Sequence, residues 1–217
     1  MAEFKTISLA TQVFEKLEED IITGVYPRGE ILTELKLVEQ LGVSRTPIRE
    51  ALRRLEQERL IAESGKGSVV LGITLEDLVD IMDIRQRIEG LAAYYAAKNL
   101  TPEGKKELQQ ISELQDFYFA KQDVENLRKM DDKFHDMIYH LSNRPVLRDT
   151  LLPLHRKSQR YRKISIEDKS RLARSIEEHK EIYKAIVAGN AELASELITS
   201  HITKAKENMI VRCYQHG

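Results

Sequence analysis

The chain has 217 residues, enough for one large domain or two smaller ones with separate cores. Its 34 Lys and Arg residues are balanced by 35 Asp and Glu, so no global field draws it to nucleic acid or membrane, and anion binding must come from local placement. A lone cysteine, Cys213, excludes an internal disulfide and a four-cysteine zinc site. With no secretory signal pattern and no apolar run near the roughly 18 residues of a membrane span, a soluble protein of a reducing cytoplasm is expected.

Leu9, Val13, Phe14, Leu17, Ile21 and Ile22 are spaced for a helix over 8–24, with Gly24 as its stop. VYPRGEI reads as a turn. A short helix follows from Glu34 to Leu41, ended by Gly42, then another from Ser44 to Arg59. LIAESGKGSVVLG reads as two short strands around Ser64-Gly65-Lys66-Gly67. Helix, short helix, helix and hairpin make a first domain over 1–72. Beyond Gly72 the periodicity is helical almost throughout, with segments at 75–99, 102–122, 123–143, 145–164, 167–188 and 190–213. The expectation is a mostly α protein whose second domain, 73–217, is an all-α antiparallel bundle of about six helices.

The segment LVEQLGVSRTPIREALRRL reads as a helix-turn-helix with Gly42 at the turn. Ser44 or Thr46 can cap the second helix, and Pro47 sits in its first turn. Ile48, Ala51, Leu52 and Leu55 form the apolar stripe; Arg45, Arg49 and Arg53 follow four apart on another face. In a major groove the N-terminal residues of such a helix lie nearest the bases. Arginine can grip a guanine edge with two hydrogen bonds, and Thr46 can meet a base or a phosphate. Arg53 and Arg54 lie where phosphates are the expected partners. Lys66, between Gly65 and Gly67, can approach a phosphate or the minor groove closely. The competing reading is a solvated helix face, since Glu50, Glu56 and Glu58 sit among the arginines and the first 72 residues are not basic overall.

The stretch LGVSRTPIREALRRLEQERLI, with Thr33-Glu34 before it and Gly65-Lys66-Gly67 after it, closely resembles the winged helix-turn-helix of GntR-family bacterial transcription regulators over about residues 8–72. The resemblance implies double-stranded DNA as partner, with Ser44, Arg45, Thr46, Arg49, Arg53, Lys66 and Gly67 at the interface. One departure is Leu35, where some members carry a basic residue.

In the helical region, Asp131 and His135 lie four apart in RKMDDKFHDMIYHL and share a helix face; His179 and His201 lie on later helices. Three imidazoles and a carboxylate converging in a bundle would suit Zn, Ni, Mn or Fe rather than Ca or Mg. The alternative for each is a hydrogen-bonded or solvated histidine. His140 and His155 are expected to be structural or exposed. The basic run 155–163 is expected to be a solvated face, with Arg160 or Arg162 as alternatives lining a cavity.

The segments DIRQRIEGLAAYYAA, DDKFHDMI and EHKEIYKAIVAGNAELASELITSHI look like the FCD domain of FadR-type GntR regulators, over about residues 75–212. That resemblance implies a divalent transition metal, Zn or Ni, on Asp131, His135, His179 and His201, helping to hold a small carboxylate effector. Arg85 is the expected contact to that effector, against the alternative of an intrahelical pair with Glu89. Relatives often have Gly-Asn-Pro after the Asp-x-x-x-His helix; here the run is Ser142-Asn143-Arg144-Pro145.

The reading is thus a ligand-responsive transcription factor, not an enzyme. A homodimer would set two recognition helices in successive major grooves of a palindromic operator, about 34–36 Å apart. Two rivals stand beside it. One is a sensor for which the ion itself is the effector. The other is a metal-dependent hydrolase, for which the sequence shows no nucleophile motif and no placed general base.

Overall fold

The computed structural model describes residues 7–158 and 169–216. It divides into two compact units, Met1–Thr74 and Leu75–Gly217.

In the first unit, α1 spans Leu9–Thr23. The Ser8 hydroxyl accepts from the Thr11 amide at 3.1 Å, and Gly24, at φ 83°, closes the helix in the left-handed region. α2 spans Glu34–Leu41, capped by the Thr33 hydroxyl and ended by Gly42 at φ 65°. α3 spans Arg45–Gln57 and buries Pro47, Ile48, Ala51 and Leu55. These meet Val13, Phe14, Leu17, Leu32 and Leu37 in a single core, each of them at most 6% exposed. α3 ends two residues before the expected Arg59 because Arg59 itself turns left-handed, at φ 58°, and the Leu60 amide bonds back to the Leu55 carbonyl at 2.9 Å.

The hairpin is present as β2, Ile61–Ser64, and β3, Gly67–Val70, with Ser64 opposite Gly67. A third strand, β1, Ile31–Leu32, pairs with the other edge of β3, giving the order β1-β3-β2. The sequence reading took VYPRGEI as a turn alone. A two-residue strand carries no alternation to read, and only its pairing with β3 makes it a strand. Gly67 is required by this pairing. A Cβ there would stand 2.6 Å from the Leu32 carbonyl oxygen, and its φ of +135° is strained for any side chain.

The second unit is all helical among the described residues. α4 is Leu75–Asn99, α5 Pro102–Ala120, α6 Val124–Leu141, α7 Pro145–Lys157, α8 Lys169–Val187 and α9 Ala191–His216. The Thr101 and Asp123 side chains cap α5 and α6. α5 and α6 are shorter at their ends than the periodicity suggested, because Gln122 and Asn143 adopt φ of 55° and 51°. In the departing Ser142-Asn143-Arg144-Pro145 run, Asn143 supplies the left-handed turn and the Ser142 carbonyl accepts from the Asn99 amide at 2.7 Å. The described part of the predicted 145–164 helix ends at Lys157; Arg160 and Arg162 lie outside the described residues.

Ala92, Ala93, Ala96, Phe134, Ile138, Ile182, Ile186, Ala194 and Ile198 form the centre of the core. Small residues on α4 and α9 let these helices approach closely. A Cβ on Gly90 would lie 2.7 Å from Ser195 Oγ and 2.8 Å from Thr199 Oγ1. No described helix is long and apolar enough to cross a membrane.

Candidate functional site

The amphipathic pattern of α3 turns its apolar stripe into the first core and leaves Ser44, Arg45, Thr46, Arg49 and Arg53 exposed. Ser44 takes the N-cap position with extended backbone, but its side chain makes no capping hydrogen bond. Arg49 Nε donates to Glu34 Oε1 at 2.7 Å, an exposed pair between α3 and α2. That hydrogen bond holds the Glu34 carboxyl below its usual range. Arg54 departs from the expected phosphate role. Its guanidinium lies 3.9 Å above the Phe14 ring, and Nη1 donates to Thr11 Oγ1 at 3.3 Å, so it ties α3 to α1. Lys66 is exposed at the tip of the β2–β3 hairpin, while Gly67 is there for backbone geometry. Leu35 is 57% exposed on α2.

In the second unit, α6 carries Asp131 and His135 one turn apart, α8 carries His179, and α9 carries His201. The three imidazoles are at most 4% exposed, and one ring nitrogen from each lies within 4.8 Å of the others. His179 Nε2 is 3.3 Å from His201 Nε2, and Asp131 Oδ1 is 3.6 Å from His179 Nε2. Two nitrogens that share one ion at about 2.0–2.1 Å lie roughly 3.0–3.4 Å apart, so this donor set fits a divalent transition metal. Phe134 stacks on His179 at 4.2 Å with an interplanar angle of 16°, fixing the ring's plane.

Each imidazole also has a polar neighbour at Nδ1, although the one at His135 lacks hydrogen-bond geometry. His201 Nδ1 lies 2.7 Å from Glu178 Oε2. His135 Nδ1 lies 3.2 Å from Glu89 Oε2. Gln115 Nε2 lies 2.9 Å from His179 Nδ1. Burial pushes His201 down to about 4, although Glu178 pulls the other way. Burial would raise Glu178, but the His201 hydrogen bond and the nearby Arg171 hold it at about 2. The ring therefore stays neutral, as ligation requires.

A second group adjoins the first through His135. Glu89, His135 and His155 bring ligand atoms within 4.8 Å. His155 is 1% exposed with Nε2 3.3 Å from Asp132 Oδ1, and burial pushes it down to about 4. It belongs to the polar centre of this unit, a location its sequence context did not reveal; His140 is exposed. Arg85 is 2% exposed. Its Nε donates to Glu89 Oε1 at 2.6 Å and Nη1 to Ser158 Oγ at 2.9 Å, so the intrahelical pair weighed against an effector role is present. Tyr139, fully buried, has its phenol pushed up by burial.

Comparison with known proteins matches residues 9–70 to the bacterial regulatory proteins of the gntR family and residues 80–204 to the FCD domain. The chain belongs to the GntR family of transcriptional regulators, with an FCD domain. The Escherichia coli regulator McbR is 34% identical over 146 residues, 67% of this chain and 66% of that one. The solved McbR structure superposes with a TM-score of 0.80 at 27% identity, covering 98% of this chain and 100% of that one. The E. coli repressor RspR is 25% identical over 199 residues, 91% of this chain and 87% of that one. Bacillus subtilis YdhC, a regulator, is 27% identical over 203 residues, 91% and 89% of the two chains. These relatives are regulators rather than enzymes, which removes the hydrolase rival.

For a GntR-family regulator, the sequence reading missed Gln115 and Glu178, and left His155 between a structural and an exposed place, of which the buried one is found. Gln115 left a trace: Leu108, Ile111 and Gln115 fall on one buried face of α5, and an amide there needs a polar neighbour. Glu178 directly precedes His179, but its partner is His201 on α9, a tertiary contact with no local signal.

Proposed function

We propose that this GntR-family protein is a homodimeric repressor of a palindromic operator, released by a small carboxylate effector that binds beside a divalent transition metal, Zn or Ni, in the FCD domain. The observation that supports the reading is the buried cluster of His135, His179 and His201 from three helices, with Asp131 Oδ1 3.6 Å from His179 Nε2. A buried trio of imidazoles beside a carboxylate is costly in a core unless the groups are hydrogen-bonded or ligated.

On the DNA side, Arg45, Thr46 and Arg49 would read base edges, while Ser44, Arg53, Lys66 and the Gly67 backbone would meet phosphates. On the effector side, a bound ion would supply a Lewis-acidic anchor for one carboxylate oxygen. Arg85 would hold the anion by exchanging its Ser158 hydrogen bond for a charge-assisted one, with Glu89 keeping the guanidinium oriented. The effector controls DNA binding only to the extent that it prefers one conformation of the protein over another.

The test combines elemental analysis with gel-shift titrations. Roughly one ion per chain should be found in the wild type and lost in His179→Ala. Carboxylates screened in the presence of metal should weaken operator binding, and metal alone should not. Wild-type protein that binds neither zinc nor nickel after refolding would end the metal reading. Metal that switches DNA affinity by itself would favour the rival in which the ion is the effector.

A further inference from the structure

Among the groups around the histidine cluster, Gln115 is the one that meets a ring nitrogen with a side-chain amide rather than a carboxylate. It is 1% exposed on α5, its amide nitrogen lies 2.9 Å from His179 Nδ1, and its Oε1 is buried without a hydrogen-bond partner among the described residues. His201 pairs with the Glu178 carboxylate at Nδ1, whereas His135 Nδ1 lies 3.2 Å from Glu89 Oε2 without hydrogen-bond geometry. An ionised carboxylate only accepts, so it holds the proton on Nδ1 and leaves a lone pair on Nε2. An amide offers a donor on one side and an acceptor on the other. An amide nitrogen that donates to His179 Nδ1 requires the ring's proton on Nε2. That Nε2–H then points at the His201 Nε2 lone pair, 3.3 Å away. In that arrangement His179 has no Nε2 lone pair to give to an ion.

We propose that Gln115 is a two-position tautomer switch for His179. Half a turn of the amide brings the unpartnered Oε1 onto Nδ1, where it accepts from Nδ1–H. The ring proton moves from Nε2 to Nδ1 by exchange with water, the ring stays neutral, and Nε2 gains the lone pair that a divalent transition metal needs. Gln115 thus acts as a positioning residue, rather than as a ligand. The inference rests on the metal reading above and adds a state change to it: α5, which carries no ligand, takes part in metal binding.

The experiment uses the full chain labelled with 15N-histidine, titrated with zinc. Long-range proton–nitrogen spectra should show the His179 proton on Nε2 without zinc and on Nδ1 with one equivalent. Gln115→Met, which keeps the length but removes donor and acceptor, should weaken zinc binding about 10- to 100-fold, as losing an orienting partner does at other metal sites. Gln115→Glu supplies only an acceptor; it should bind zinc and show the Nδ1 tautomer before zinc is added. If Gln115→Met does not fold, the wild-type and Gln115→Glu spectra decide. The inference is overturned if His179 carries its proton on Nδ1 in both wild-type states, if it carries it on Nε2 after zinc binds, or if Gln115→Met binds zinc as tightly as wild type. Wild type that binds no zinc at all overturns the metal reading itself, an outcome distinct from these.

Discussion

The Arg54 guanidinium sits 3.9 Å over the Phe14 ring, on the side of α3 that meets α1, away from the face carrying Arg45, Arg49 and Arg53. Two adjacent arginines therefore have different work. Arg54→Ala should destabilise the winged unit by about 1 kcal/mol through lost ring contact and stem packing. It should leave the salt dependence of operator binding unchanged. Arg53→Ala should do the reverse, lowering the slope of log affinity against log salt by about 1 with unchanged stability. Urea unfolding and salt-series gel shifts measure both; a slope change in Arg54→Ala equal to that in Arg53→Ala would contradict the assignment.

Arg49 is held by Glu34 at 2.7 Å in the free protein. On the proposed reading, a guanine edge or phosphate would displace that carboxylate. Arg49→Ala should weaken operator binding about tenfold or more, whereas Glu34→Gln should strengthen it, most visibly at low salt. Glu34→Gln binding more weakly than wild type would mean that the carboxylate orients Arg49 for DNA instead of competing for it.

Much of this was legible in the sequence because the signals were local. Gly24 and Gly42 stop helices, Thr101-Pro102 marks a break, and the Gly65-Lys66-Gly67 turn joins two strands, each a signal within a few residues. The histidines on three helices were separable from the rest through their spacing and the family pattern. Harder to read were features made by distant pairing. β1 exists through β3, the partner of Arg54 is 40 positions upstream at Phe14, and His155 is buried because α7 brings it to Asp132 and His135. The burial of Arg85 beside Glu89 followed the four-residue spacing; its bond to Ser158 did not.

Acid should unfold the metal-free second unit earlier than an ordinary helical bundle. His155 and His201 are pushed down to about 4 from a usual value of 6.5. Below about pH 6.5 the unfolded chain takes up protons that the folded one refuses, so stability falls as pH drops from 6.5 towards 4. The slope is up to about 1.4 kcal/mol per pH unit for each imidazole. Glu178, held at about 2, adds a further loss below its usual 4.5. Denaturant midpoints for metal-free protein between pH 7.5 and 5 read this directly; a flat profile would contradict it. Saturating zinc should move the midpoint up at pH 7.5 and less at pH 5, where protons compete for the ligands.

Gly67→Ala should destabilise the winged unit by about 1–3 kcal/mol, since its Cβ would press on the Leu32 carbonyl at an unfavourable φ. Gly65→Ala, with open space around its Cβ, is the control and should change little. Equal stability of the two variants would show that β1 yields without cost.

The near contact of Gly90 with Ser195 and Thr199 has a mechanical consequence. Glu89, beside Gly90, has Oε2 3.2 Å from His135 Nδ1, and His201 sits two residues beyond Thr199. With less than a methyl's width to spare at that crossing, any larger side chain at position 90 would wedge α4 from α9 and so part the helices that carry Glu89 and His201.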